Sequence, residues 1–133
     1  MKINNYATDK ATGLNVKIFI ADDSQLLQER LITILSRTSS IEIVGRAFDV
    51  KEAIAGIKNT RPDVVFLDIR MPDGTGFEVM DKIKQNGKIP IFIILTNYSY
   101  HQYRQRAVEM GAKYFLEKDK DFSRIPAIIA ELE

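Results

Sequence analysis

The sequence predicts an α/β fold, a doubly wound parallel sheet in which five strands alternate with five helices. Three observations predict it. Short apolar runs rich in β-branched residues recur along the chain, as in Val16-Lys17-Ile18-Phe19-Ile20-Ala21 and Ile91-Phe92-Ile93-Ile94-Leu95, and such runs mark strands buried on both faces. The stretches between them repeat their apolar residues at helical spacing. Acidic, hydroxyl and lysine side chains follow several of the runs directly, where a parallel sheet lines up the carboxyl ends of its strands.

Taken in order, residues 1–15 are polar and aperiodic and read as a flexible N-terminal tail, leaving 16–133 as the domain. Val16 to Ala21 is the first strand. Ser24 or Asp23 can cap the segment that follows, where Leu27, Leu31, Ile34 and Leu35 give a helix over 24–37. Ile41 to Ala47 is a strand, and Val50 to Asn59 a helix burying Ala53, Ile54 and Ile57, stopped by Pro62. Val64-Val65-Phe66-Leu67 is the third strand. Met71-Pro72-Asp73-Gly74-Thr75-Gly76 is dense in turn residues and reads as a loop. Phe77, Met80 and Ile83 mark a third helix ending near Asn86-Gly87. Ile91 to Leu95 is the fourth strand, and residues 99–110 a helix with Tyr103, Ala107 and Met110 inward, closed by Gly111. Tyr114-Phe115-Leu116 is a short fifth strand. Ile125, Ile128, Ile129 and Leu132 line the last helix, with Pro126 in its first turn, where a missing N–H is harmless.

Composition narrows the function classes. A chain of 133 residues suits one domain, and 45% apolar with 28% charged residues is ordinary for a water-soluble globular protein. Cysteine is absent, which excludes disulfides and thiolate metal sites. No apolar run approaches a membrane span, and Met1-Lys2-Ile3-Asn4-Asn5-Tyr6 lacks the apolar core of a signal peptide. The expected location is the cytoplasm, with no membrane partner. A net charge of +1 gives no basic excess that would suggest nucleic acid as a partner. Only about one helix of chain follows the fifth strand, so the expectation is a stand-alone domain without an output domain.

The residues at the strand ends carry the chemistry. Asp22 and Asp23 follow the first strand, Asp68 the third, Thr96 the fourth and Lys118 the fifth. Each alone has a bland reading as a turn carboxylate, a structural threonine or a surface lysine; their joint placement points to one pocket. Three close carboxylates repel unless a cation neutralises them. Mg²⁺ suits the set, because it needs only one or two carboxylates and completes its shell with water and phosphate. Lys118 supplies a mobile positive charge for a phosphate oxygen, and Thr96 a short hydroxyl donor. Phosphoryl transfer is mostly positioning and charge neutralisation, which these groups provide.

The stretches Ile20-Ala21-Asp22-Asp23-Ser24, Phe66-Leu67-Asp68-Ile69-Arg70-Met71-Pro72-Asp73-Gly74-Thr75-Gly76, Ile94-Leu95-Thr96 and Gly111-Ala112 leading to Lys118 together resemble the receiver domain of two-component response regulators, from about Val16 to Glu133. The resemblance implies a flavodoxin-like sheet of order 2-1-3-4-5, counting strands along the chain. It implies that Asp68 accepts a phosphoryl group from the phosphohistidine of a sensor histidine kinase or histidine phosphotransfer protein. Asp23, Asp68 and the backbone carbonyl of Arg70 would hold Mg²⁺, with Asp22 acting mainly through water. Thr96 and Lys118 would bind the phosphoryl oxygens. Thr96 and the aromatic Phe115 would form the switch, shifting the face of the last two helices and the strand between them toward a downstream protein target. The chain would then be a signalling phosphoacceptor, with only self-phosphorylation and autodephosphorylation as its chemistry.

Several residues depart from the family pattern. Asp119 follows Lys118 where many members have a cis proline. Asn97 follows Thr96 where a very small residue is common and narrows the expected pocket mouth. Arg70 and Tyr98 sit where members tune phosphate lifetime. Phe115 lacks the hydroxyl of a tyrosine. His101 reads as a solvent-facing residue near a helix start, Tyr103 as core, and Tyr98 and Tyr100 either as partner contacts or as plain exposed aromatics. Leu26 reads equally as a docking contact for the phosphodonor or as core. Two other functions compete: a receiver-fold adaptor independent of phosphorylation, against which the complete acceptor set argues, and a phosphohydrolase, against which Arg70 argues by standing where a second Asp is usual.

Overall fold

Every residue of β3 (Val64–Leu67) is buried, as a strand flanked on both edges and covered on both faces must be. It lies at the centre of the sheet in the computed structural model, which describes residues 15–85 and 87–133. The expected tail therefore falls almost wholly outside the described residues. Around β3 run β1 (Val16–Ala21), β2 (Ile41–Ala47), β6 (Ile91–Thr96) and β7 (Tyr114–Glu117), in the order β2-β1-β3-β6-β7 and parallel throughout. Counted along the chain without the small hairpin described below, this is the expected 2-1-3-4-5 order.

Alternation along the strands divides the core in two. Phe19, Val65, Leu67, Phe92 and Ile94 face the layer of α2 (Val50–Thr60), α3 (Gly76–Lys84) and α4 (His101–Glu109). Ile18, Ile20, Val64, Phe66, Ile93 and Leu95 face α1 (Gln25–Leu35) and α5 (Ile125–Leu132). A period of two sends neighbouring side chains to opposite faces, so helices must cover both. Among the described residues no helix is long and apolar enough to cross a membrane.

The helix starts are capped by the residues their sequence offers. Ser24 accepts the Leu27 N–H, Asp49 accepts the Glu52 N–H, and Thr75 with Glu78 forms a reciprocal capping box. The Asp73 carboxylate accepts the Val50 and Lys51 N–H groups, tying the loop after β3 to the start of α2. Pro126 lies in the first turn of α5, as expected.

Some expectations change in detail. The stretch read as a loop forms, with Arg70 before it, a two-stranded antiparallel hairpin, β4 (Arg70–Met71) with β5 (Gly74–Thr75); Met71 in it and Ile69 just before it are buried. Tyr103 is half-buried, packed against the core edge rather than inside it, because α4 lies at the margin of the sheet. Leu26 is 70% exposed, which ends its reading as a core residue. A 3₁₀ turn, Phe122–Arg124, leads into α5 and buries Phe122. There is no cis peptide bond among the described residues, so Lys118–Asp119 is trans.

Candidate functional site

Sheet register builds the site. Ala21 pairs with Leu67, and each is followed by an aspartate, so Asp22 and Asp68 leave neighbouring strand ends side by side. Thr96 pairs with Glu117, which brings Lys118 one residue beyond the end of β6. The Lys118 N–H donates to the Thr96 carbonyl at 3.0 Å and extends that ladder to the site.

Four of the five predicted side chains, those of Asp22, Asp23, Asp68 and Lys118, converge. Lys118 Nζ lies 2.9 Å from Asp22 Oδ2 and 2.9 Å from Asp68 Oδ2. Carboxylate oxygens of Asp22, Asp23 and Asp68 lie within 4.8 Å of one another. Asp22 and Asp68 are buried and Asp23 is exposed, so the cluster opens to solvent on the Asp23 side. Asp22 Oδ1 accepts the Ser24 N–H at 2.8 Å, and Asp68 Oδ1 accepts the Ile69 N–H at 2.7 Å. Thr96 is fully buried, and its hydroxyl accepts the Tyr98 N–H at 3.1 Å, leaving the hydroxyl hydrogen to donate elsewhere.

Electrostatics follow from this crowding. Burial, and then the charge of Asp68, push the Asp22 carboxyl up to about 6, against hydrogen bonds from Lys118 and Ser24. Burial alone would lower Lys118, but the charges and hydrogen bonds of Asp68 and Asp22 outweigh it and raise the ammonium above its ordinary value. One ammonium thus faces three carboxylates. The donor set, all oxygen and net negative with an exposed side, fits a hard divalent cation.

Above the cluster a cleft of about 290 Å³ is walled by Asp23, Asp68, Arg70, Asn97, Tyr98 and Lys118. Asn97 does line its mouth. The Arg70 guanidinium lies 4.2 Å from the Tyr98 ring centroid and donates to the Tyr103 hydroxyl at 3.1 Å. Tyr103 in turn packs against Tyr100, ring centroids 5.6 Å apart. Phe115 is half-buried below α4 with the Arg104 guanidinium 4.5 Å from its ring centroid. His101 is exposed at the first position of α4 and does not join the cluster.

Two residues of the site's frame escaped the sequence reading. Gln28 is fully buried, and its amide hydrogen-bonds the backbone at Asp22. The signal was available: position 28 falls on the same helical stripe as Leu31 and Leu35. Gly76 packs against the backbone of Asp68, where no Cβ would fit. A glycine at the first position of a capped helix was the clue.

Comparison with known proteins agrees with this geometry. Residues 18–130 match the model of the response regulator receiver domain. The chain is 39% identical over 105 residues to the transcriptional regulatory protein DesR of Bacillus subtilis, covering 78% of this chain and 51% of that protein. It is 36% identical over 110 residues to the sensory transduction protein LytT of Bacillus cereus, covering 83% of this chain and 44% of that protein. The chain thus spans about half the length of these curated relatives. Its fold superposes on a chain of the CheX-CheY-BeF3-Mg²⁺ complex of Borrelia burgdorferi with a TM-score of 0.82, at 26% identity and 92% coverage of each. With the sheet order, the aspartates at adjacent strand ends and a family match over most of the sequence in agreement, the chain belongs to the receiver domains of two-component response regulators.

Proposed function

We propose that residues 16–133 act as a phosphoacceptor switch. Asp68 would take a phosphoryl group from the phosphohistidine of a sensor histidine kinase or histidine phosphotransfer protein. The observation that carries this reading is the buried Asp68 carboxylate bound by Lys118 at 2.9 Å beside two further aspartates, at the floor of an open cleft. Receiver domains are signalling phosphoacceptors rather than classical enzymes, and they bind Mg²⁺ at an acidic pocket.

Each residue has a role in this reading. An Asp68 carboxylate oxygen bonds to phosphorus as the P–N bond of the donor breaks, and the bonding pair leaves on the imidazole nitrogen. Lys118 gives up part of its contact with the carboxylates and follows the new charge on the phosphoryl oxygens. Thr96 donates its hydroxyl hydrogen to one of those oxygens. Asp23, Asp68 and the Arg70 carbonyl would hold Mg²⁺, with Asp22 acting mainly through water. The metal, when bound, neutralises the carboxylates and the incoming phosphoryl oxygens. Movement of Thr96 frees space for Phe115, and the surface of α4, β7 and α5 changes for a protein target.

The reading assigns the chain to the cytoplasm, where response regulators generally act. The expectation of no nucleic-acid partner rests on this chain's net charge of +1 and is proposed for residues 16–133 alone, since DesR is a longer transcriptional regulatory protein. Incubation with Mg²⁺ and a small acyl phosphate, followed by intact-protein mass spectrometry, tests the core claim. One phosphoryl adduct, absent from Asp68→Asn, is expected. Equal labelling of the variant sinks the assignment. No labelling of the wild type by acyl phosphate or a histidine kinase favours the adaptor.

A further inference from the structure

Gln28 is a fully buried polar side chain that the chemistry above does not use. It stands on α1, and both of its N–H donors and its carbonyl oxygen are engaged. Nε2 donates to the carbonyl oxygens of Asp22 at 2.7 Å and Ala47 at 2.8 Å, and Oε1 accepts from Arg46 Nε at 2.6 Å. The Asp22 N–H also donates to the Ala47 carbonyl at 3.0 Å. The ends of β1 and β2 are therefore joined around this one amide. A primary amide has what the position demands, two N–H donors for two carbonyls and an oxygen for a guanidinium.

The carbonyl of Asp22 belongs to the peptide bond that leads to Asp23. That neighbour is the weakly held member of the cluster. Its carboxylate is exposed and has no hydrogen bond or ion pair among the described residues, whereas Asp22 and Asp68 are each held by Lys118 and by a backbone N–H. Asp23 nevertheless has an oxygen within 4.8 Å of theirs. Backbone direction is what brings it there. The plane of the peptide bond between Asp22 and Asp23 sets that direction, and the Asp22 carbonyl in that plane is held by Gln28.

We propose that Gln28 is a positioning residue that aims the Asp23 carboxylate at the cation shared with Asp68. This rests on the reading of the acidic cluster as a Mg²⁺ site. Gln28 touches neither metal nor phosphate; it acts through the backbone. It makes the first helix part of the metal site, although no residue of that helix is a ligand.

Isothermal titration of the full chain with Mg²⁺, with no phosphodonor present, tests the role. Gln28→Met keeps the length and bulk of the side chain and removes its hydrogen bonds to the Asp22 and Ala47 carbonyls. Its Kd for Mg²⁺ should be weaker by on the order of 10-fold, as for other residues that orient metal ligands. In an Asp23→Ala background the same substitution should leave the Kd unchanged, because the ligand it aims is gone. Ile128→Val on α5, a core residue outside the acidic cluster, should lower stability and leave the Kd at the wild-type value. A Gln28→Met protein with a lowered melting temperature but wild-type Kd overturns the positioning role. So does an equal loss in the presence and absence of the Asp23 carboxylate. Should Gln28→Met not fold, Gln28→Asn draws the amide back by one methylene, with the same expected weakening and the same overturning result. A wild-type chain that binds no Mg²⁺ overturns the metal reading itself and this role with it.

Discussion

Gly76 and Asp68 meet backbone to backbone: a Cβ on Gly76 would lie 2.3 Å from the Asp68 carbonyl oxygen and 3.0 Å from Leu67 Cγ. The Gly76 N–H donates to the Ile69 carbonyl at 2.7 Å, so α3 starts hard against the strand end that carries Asp68. The obstructing atom is main chain and cannot rotate aside. Gly76→Ala should therefore destabilise the fold by about 1–3 kcal/mol, the usual cost of forcing extra volume into a packed site. It should also displace Asp68 and slow its labelling by acyl phosphate. Urea denaturation with parallel labelling checks both, and an alanine variant with wild-type stability would show that the strand end yields.

The Asp22 carboxyl gives the chain a pH dependence of defined sign when Mg²⁺ is removed. Its folded pKa, raised by burial and then by Asp68 to about 6, lies above the ordinary 3.8. Protonation of Asp22 therefore stabilises the fold, fully below about pH 4, and that stabilisation is lost as pH rises through about 6. Asp22→Asn is neutral at every pH. In chelator near about pH 7.5 it should be more stable than wild type by up to about 3 kcal/mol, and the gap should close toward pH 4. Thermal melts across this range test it. A gap independent of pH would remove the ionised carboxyl as its cause.

Lys118 is the only cation the described residues place between Asp22 and Asp68. Lys118→Met leaves two buried carboxylates facing each other, at a cost on the order of 3 kcal/mol in chelator, partly relieved by protonation of Asp22. Mg²⁺ supplies the missing charge, so it should raise the melting temperature of the variant more than that of the wild type. Acyl phosphate labelling should nevertheless fall, since the phosphoryl oxygens lose their partner. An equal Mg²⁺-induced rise in both proteins would count against a shared site.

Arg70 lines the cleft, its guanidinium 4.2 Å from the Tyr98 ring centroid and hydrogen-bonded to Tyr103. Arg70→Ala should open the route for water to the acceptor and shorten the lifetime of phosphorylated Asp68 several-fold. Arg70→Lys should fall between, because an ammonium cannot form the same planar stack. Decay of the adduct after removal of the phosphodonor measures the effect, and a longer lifetime in Arg70→Ala would contradict this role.

Much of the fold was legible because it is written in local pattern. The all-apolar β3 and the Leu27-Leu31-Leu35 stripe reflect burial that each element requires by itself. The convergence of Asp22, Asp23, Asp68 and Lys118 was legible for a related reason: a parallel sheet brings strand ends together whatever their distance in sequence. Features fixed by partners far along the chain were harder to read. The helical stripe puts Gln28 on the buried face, but its partners Asp22, Ala47 and Arg46 lie on other elements and the stripe does not name them. In the hairpin at Arg70–Thr75, Asp73 reaches across to the start of α2, and the turn-rich sequence alone gives no sign of that. Tyr103 satisfies the helical spacing yet remains half-buried, because periodicity reports a face and not how far the neighbouring layer extends over it.

Arg104 holds two residues of β7 at once, its guanidinium 4.5 Å from the Phe115 ring centroid and 3.6 Å from a Glu117 carboxylate oxygen. At a partly exposed position a cation over an aromatic ring contributes about 0.5–1 kcal/mol and a surface ion pair about 0–1 kcal/mol. Only the ring contact depends on where Phe115 sits, and taken alone it favours the ring position seen here by a ratio of roughly 2–5 to 1. An unmodified chain would then spend an appreciable minority of its time with Phe115 released. If Phe115 is the switch element proposed for it, a partner that prefers the released ring could capture it at high concentration without any phosphate, a leak whose size Arg104 would set.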